Sequence, residues 1–229
     1  MNDLINYGWM LCDGALLTLA VGISSLIMAL ALGLIMALIK IYTSPFFKNL
    51  ANLYTGIIRG IPELVLLLLI YYQGSILLQH IALWVGHKDY ININAFVTGV
   101  ITLGFIYGAY ATEVFRGAIL AIPKGQIEAA AACGMSRFLI IKRILLPLLL
   151  RFALPGIGNV WLVLLKATAI ISVIGLDELT RKAHIAAGAT RNPFLFFLTA
   201  ALIYLIFTNL SMIIIRKLEI KANQGFIKN

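Results

Sequence analysis

The residues that could do chemistry in this sequence are few, and most lie inside or beside long apolar runs. Lys166 interrupts the apolar stretch 152–176. An isolated charge at such depth costs at least about 2.5 kcal/mol, so its ammonium must face a bundle interior, water or a partner. Apolar neighbours on both sides make snorkelling hard. A gate or a helix-positioning ion pair suits Lys166 better than contact with a cationic solute, which it would repel. Glu113, near the end of the third apolar run, has the right sign to hold a cation. Arg116 follows at i+3, however, and a pair within one helix explains Glu113 equally well. Glu63 stands directly after Pro62 and suits a first helical turn, where a carboxylate complements the dipole. Tyr107, Thr168 and Ser172 carry hydroxyls that could line a polar cavity or bond back to their own helices.

No catalytic constellation emerges from the remaining residues. His80, His87 and His184 fall in the external connections without nearby ligands, so neither a triad nor a metal site is expected. The sequence has no G-x-x-x-x-G-K followed by Ser or Thr and no G-x-G-x-x-G, and so no recognisable way to hold ATP. The chain is therefore not expected to be an enzyme or to carry a cofactor.

The elements that must position these residues are membrane helices. Of 229 residues, 62% are hydrophobic and only 12% charged, and mean hydropathy is +0.99, against roughly 25% charged residues in an ordinary soluble domain. The stretches 14–39, 64–87, 90–112 and 192–215 contain no Asp, Glu, Lys or Arg, and 152–176 contains only Lys166. Each is long enough to cross a hydrocarbon core of about 30 Å. The sequence predicts an all-α integral membrane fold, one compact membrane domain over 1–229. Its five spans lie at about 15–39, 62–82, 93–116, 153–176 and 194–215, with a long loop at about 121–150. The opening MNDLINYGWMLCDG has no basic residue and no cleavage site, so it is read as mature chain. Net charge is +9, and thirteen of the eighteen Lys and Arg fall on one side of the predicted membrane against four on the other. The positive-inside bias then puts the N-terminus outside and the C-terminus in the cytoplasm. Cys12 and Cys133 fall on opposite sides and cannot pair.

Small residues recur at every fourth position in the first span (Ser25, Ala29, Gly33, Ala37), and Gly104 and Gly108 repeat the spacing in the third. Such stripes let helix backbones approach closely. The loop 121–150 is unlike a tether: Pro123 suits a helix start, Ala129 to Ala132 are strong helix formers, and Pro147 should end or kink the run. Within it stands Glu128-Ala129-Ala130, then Gly134, then Ile144, then Leu146-Pro147, at spacings of three, nine and one residues.

This pattern resembles, without a gap, the EAA motif of permeases of the ABC importer superfamily. The likeness extends to residues 59–68, 107–134 and 153–179, which are similar to the polar amino acid uptake subfamily and within it to histidine, lysine, arginine and ornithine permeases. The resemblance implies the type I importer permease fold, with Glu128, Ala129, Ala130, Gly134, Ile144, Leu146 and Pro147 in a coupling helix seated on a cytoplasmic ATPase. It further implies two ATPase subunits that bind ATP and Mg, an identical or homologous second permease, an external amino-acid-binding protein, and alternating access in the bacterial inner membrane. A tight fit of small side chains against the ATPase is the expected role of Gly134. The sequence departs from many relatives at Ala167 and Ala169, where an acidic residue and a hydroxyl are common after the lysine, so substrate contacts do not carry over there. An ion-gradient-driven secondary amino acid transporter is the alternative, and the inverted repeat common in such carriers is not found.

Overall fold

A computed structural model of the chain describes residues 2–84 and 94–224. His87, Lys88 and Lys228 lie outside the described residues. Nine α-helices are described, and no strand occurs among the described residues. They are α1 (Asn2–Tyr42), α2 (Pro45–Gly60), α3 (Glu63–Trp84), α4 (Ala95–Leu120), α5 (Lys124–Ala132), α6 (Arg137–Ile140), α7 (Leu146–Ala167), α8 (Leu179–Thr190) and α9 (Pro193–Ala222). A π-helical turn (Ile141–Leu145) joins α6 to α7, and a 3-10 segment (Thr168–Ile174) extends α7. Five segments are long and apolar enough to cross a membrane: Leu4–Tyr42, Glu63–Ile81, Ala95–Leu120, Arg137–Ile174 and Pro193–Ala222.

Punctuation follows local chemistry. Pro45 and Pro193 open α2 and α9, where a missing N–H costs nothing. Ile61, held extended by the following Pro62, separates α2 from α3. Asn94 Oδ1 accepts from Phe96 N at 2.8 Å to cap α4.

Packing registers fix helix directions. A Cβ on Gly33 would lie 2.6 Å from Ala111 Cβ, and one on Gly104 would lie 2.7 Å from Met28 Sδ. Residue 28 thus faces 104 and residue 33 faces 111, so α1 and α4 run parallel along a seam closed by the predicted small residues, Ala29 and Ala37 being fully buried in it. Gly156 meets Val114 while Gly99 meets Ile171, so α7 runs antiparallel to α4. Trp161 Nε1 donates to Ser211 Oγ at 2.8 Å and Gly158 meets Ile215, so α9 runs antiparallel to α7. One end of the molecule gathers the start of α1, the 3-10 segment and α8. The other gathers the ends of α1 and α4 with α5 and the π turn.

The structure adds elements to the sequence reading and changes the placement of others. The connection between the first two spans is a helix, α2, whose mixed sequence hides its amphipathicity. The N-terminal stretch is the first part of α1. His80 and His184 are exposed on α3 and α8, within helices and not in connections. Pro147 does not end the run: the helix continues through it by widening into the π turn.

Candidate functional site

The coupling loop is built around backbone constraints. Pro123 precedes α5, in which Ala130 is buried while Glu128, Ala129, Ala131 and Ala132 are exposed. The helix ends in a Schellman motif: Gly134 N donates to Ala131 O at 3.0 Å and Met135 N donates to Ala130 O at 3.1 Å. Gly134 adopts φ +77, and a Cβ there would meet nothing within 4 Å. Within this chain, therefore, glycine answers a left-handed backbone position, and no side chain of the chain itself crowds it.

Farther along, Pro147 has no N–H to return to Arg143. The backbone expands instead, and Leu146 N reaches back five residues to Ile141 O. The π turn faces α5 across a groove of about 480 Å³, lined by Ala129, Ala130, Cys133, Arg143, Ile144 and Pro147. Four motif residues thus converge on one concavity, while Leu146 is exposed and Glu128 has no hydrogen-bond or ionic partner among the described residues.

At the same end, Glu113 is occupied. Its Oε2 accepts from Arg116 Nε at 2.8 Å, as the i+3 spacing suggests, and its Oε1 accepts from Lys40 Nζ at 2.6 Å. Lys40 is 6% exposed and also donates to Thr55 Oγ1 at 2.6 Å, tying α1, α2 and α4 together. In the sequence Lys40 is legible only as a basic residue closing a span. Removing one partner from so buried a pair costs about 3–5 kcal/mol, because the other charge is then stranded.

Higher in the bundle, Tyr107 is 1% exposed and donates its hydroxyl to Glu63 Oε1 at 2.9 Å. Glu63 does open a helix, α3, as its position after Pro62 suggests. Thr168 is buried and donates back to Leu165 O at 2.7 Å, and Ser172 does the same to Ala169 O at 2.7 Å. Neither hydroxyl is free for a solute in this conformation. Lys166 is exposed at the last turn of α7 and has no ion pair or hydrogen bond among the described residues. For a cation inside a span, that face must be covered by something more polar than lipid.

One polar node has no counterpart in the sequence analysis. Glu178, fully buried, caps α8: its Oε2 accepts from Thr180 N and its Oε1 from Arg181 N, both at 2.9 Å. Tyr204 Oη donates to Oε2 at 3.2 Å. Thr18 Oγ1 lies 2.9 Å from Gly14 O and 3.3 Å from Glu178 Oε2, and it accepts from Leu179 N at 3.1 Å. Burial pushes the Glu178 carboxyl above its ordinary range, against the pull of the Thr180 and Arg181 amides and the Tyr204 and Thr18 hydroxyls. Asp is the favoured cap residue and Asp177 precedes it, so nothing in the sequence singles out Glu178.

Comparison with known proteins bears directly on this geometry. Residues 29–223 match the family described as "Binding-protein-dependent transport system inner membrane component". The chain is 44% identical to the histidine/lysine/arginine/ornithine transport system permease protein HisQ of Escherichia coli K12, over 97% of each protein. It is 40% identical to the octopine transport system permease protein OccQ of Rhizobium radiobacter, over 96% of this chain and 92% of that one. Among solved structures, an amino acid ABC transporter with histidines superposes with a TM-score of 0.79 at 32% identity, covering 95% of this chain and 96% of that one.

Proposed function

Because the chain belongs to the family of binding-protein-dependent transport system inner membrane components, we propose that it carries basic amino acids inward, by alternating access, as one half of a permease pair. The chain is a multi-pass inner-membrane permease of an ABC importer, and ATP hydrolysis belongs to a separate subunit. The observation that carries the mechanical part of the reading is the groove between α5 and the π turn. Its α5 wall is made of the small side chains Ala129, Ala130 and Cys133, four motif residues line it, and the neighbouring Glu128 carboxylate has no partner among the described residues. A partner's projecting surface can seat there and find a charge-assisted hydrogen bond.

In this reading the α5 end is cytoplasmic and meets an ATPase dimer that holds ATP and Mg, with the N-terminus outside. The Lys166 face meets an identical or homologous second permease and the path between them, and Tyr107, Thr168 and Ser172 stand near that path. An external binding protein delivers the amino acid. The choice of basic amino acids rests on the names of the relatives and on the identity shared with them.

Uptake into sealed vesicles tests the proposal. Arginine should accumulate only with ATP on the cytoplasmic side and binding protein on the other. Accumulation driven by an ion gradient without ATP would refute it.

A further inference from the structure

A groove of about 280 Å³ runs between α1, α7 and α9, away from the coupling loop and from the polar residues of the bundle. Ile23 and Leu26 of α1, Leu154 and Ile157 of α7, and Ile214 and Leu218 of α9 form its walls. Trp161 and Ser211 bring the only polar side-chain atoms among the lining residues, and they satisfy each other, Trp161 Nε1 donating to Ser211 Oγ at 2.8 Å. The groove thus offers contact to hydrocarbon alone, and its walls lose dispersion energy if nothing fills it. The buried residues of α9, Phe196 and Ala200, both lie near its start, so the inner half of that helix contributes none to the core.

Position narrows what can fill the groove. Ser211 and Leu218 are seven residues apart, so it follows α9 for about 10 Å. Along that length the charge-free run 192–215 gives way to Arg216 and Lys217, which puts one end in hydrocarbon and the other at headgroup level, in the leaflet nearest α5. The face of α7 that carries Lys166, assigned above to a second permease, points elsewhere. At about 100° per residue, Ile157 stands about 180° and Leu154 about 120° around the helix from Lys166. A partner on the Lys166 face leaves the groove to lipid.

The mouth of the groove is basic. Arg151 comes one turn before Leu154 on α7, and Lys221 one turn after Leu218 on α9, so each continues its wall toward the headgroups. Arg151 Nε donates to Asn223 Oδ1 at 2.8 Å, which ties its guanidinium to the end of α9. Lys221 is exposed and has no ion pair among the described residues. Glu219 is the one carboxylate in the last two turns of α9, against Arg216, Lys217 and Lys221, and it pairs with none of them.

From an apolar slot that ends between cations on two helices, we infer that the groove binds an anionic phospholipid of that leaflet, with one acyl chain along α7 and α9 and the phosphate held by Arg151 and Lys221. Each basic side chain at an anionic headgroup strengthens binding by about fivefold, so the pair favours such a lipid by about 25-fold over one without net charge. The bound lipid bridges α7 and α9 where the inner half of α9 has no buried residue of its own. The inference needs the membrane placement of the chain and not its substrate, so failure of arginine uptake would leave it standing.

Trp161, in the lining, is the reporter, because bromine on an acyl chain quenches indole fluorescence at contact. The transporter assembled with its ATPase is placed in phosphatidylcholine nanodiscs containing a graded share of acyl-brominated phosphatidylglycerol or acyl-brominated phosphatidylcholine. The part of the emission that disappears in a Trp161→Phe complex belongs to Trp161. Brominated phosphatidylglycerol should half-quench that part at a mole fraction lower by about tenfold or more than brominated phosphatidylcholine. Lys221→Gln should shrink the preference by about fivefold, and Arg151→Gln with Lys221→Gln should erase it, whereas Lys48→Gln, a basic residue on α2 outside the groove, should leave it unchanged. If the double variant fails to assemble because Arg151 also holds Asn223, the exposed Lys221 decides alone. Equal quenching by the two lipids, or a preference that survives Lys221→Gln or falls as far in Lys48→Gln, would overturn the inference. No quenching of Trp161 by either lipid would overturn it as well, since the groove would then be covered by protein.

Discussion

Gly134 offers the sharpest test of the coupling loop, because the structure separates two reasons for a glycine that predict opposite orders of damage. Its φ of +77 closes the Schellman end of α5, and a Cβ there has nothing within 4 Å. In the free chain the cost of a side chain is thus backbone strain alone, roughly 1–2 kcal/mol for an ordinary L-residue and less for Asn, which visits this region more readily. That corresponds to a factor of about 5–30 in the population of the intact turn. If the turn is what matters, coupling should decline in the order Gly, Asn, Ala. If the position is also pressed against the ATPase, size and charge take over. Gly134→Asp then becomes the worst, since a carboxylate desolvated without a cation costs at least a few kcal/mol more. Co-purification of the ATPase and substrate-stimulated hydrolysis, each normalised to permease in the membrane, read the two orders directly. Membrane levels should stay normal, because the turn lies outside the spans. Full coupling in both Gly134→Ala and Gly134→Asp would refute both reasons and remove the loop as a tight interface.

Three further outcomes follow from the polar nodes and from the helix directions. Glu113→Gln strands Lys40 and should lower the thermal aggregation midpoint markedly, whereas Lys40→Met with Glu113→Gln should recover most of the loss, and no recovery would mean the pair is not a unit. The Glu178 carboxyl is raised when folded, so the folded state holds its proton more tightly than the unfolded one. Its stabilising contribution is full below the ordinary value of 4.5 and is lost as pH rises through the folded value; Glu178→Gln should flatten that slope in a melting series, and an unchanged slope would count against the assignment. Single cysteines at Ala189 and Phe138, in a chain with Cys12 and Cys133 replaced by Ser, should label from outside and only after permeabilisation respectively, and the reverse would invert the orientation.

What the sequence made legible was whatever depends on composition or on a repeat with a fixed period. The five apolar runs, the small-residue stripe from Ser25 to Ala37 and the start of α5 after Pro123 are all of this kind. The helices nonetheless run past the charge-free stretches at most of their ends, since Lys40, Glu113 and Arg116 are tolerated where they pair. α2 escaped because Phe46, Phe47, Leu50 and Leu53 alternate with Lys48, Asn49 and Asn52 over too short a length to register as a span. Long-range partners were illegible in principle: Lys40 is 73 residues from Glu113, and Thr18 is 160 from Glu178. The left-handed turn at Gly134 could have been read from a glycine at a helix end. The sequence reading put crowding against the ATPase first, whereas what this chain itself shows at Gly134 is a left-handed turn with open space around it.

The strengths of the seams say which parts of the chain can move against each other. α4 holds α1 by backbone approach at Gly33 and Gly104 and by the buried Lys40–Glu113 pair, a contact whose separation would strand a charge and expose a closely packed stripe. Its hold on α2 and α3 combines a shared buried core, Ile58, Leu66 and Leu67 with Leu103 and Ile106, with three polar or aromatic contacts: Tyr54 Oη donating to Phe105 O at 2.6 Å, Tyr107 Oη donating to Glu63, and Arg59 over Tyr110. Each of those three contacts is worth about 0.5–1.5 kcal/mol net, and water can replace each partner in turn, whereas the shared core cannot open without exposing apolar surface. α2 is anchored more firmly at one point, where Lys40 donates to Thr55. A swing of α2 and α3 about that point breaks the weak contacts at Arg59 and Glu63 while leaving the buried pair intact. Because Ile58, Leu66 and Leu67 share a buried core with Leu103 and Ile106, that swing also exposes apolar surface, so the α2–α3 side resists opening by packing where the α1 side resists it by packing and a buried charge pair together.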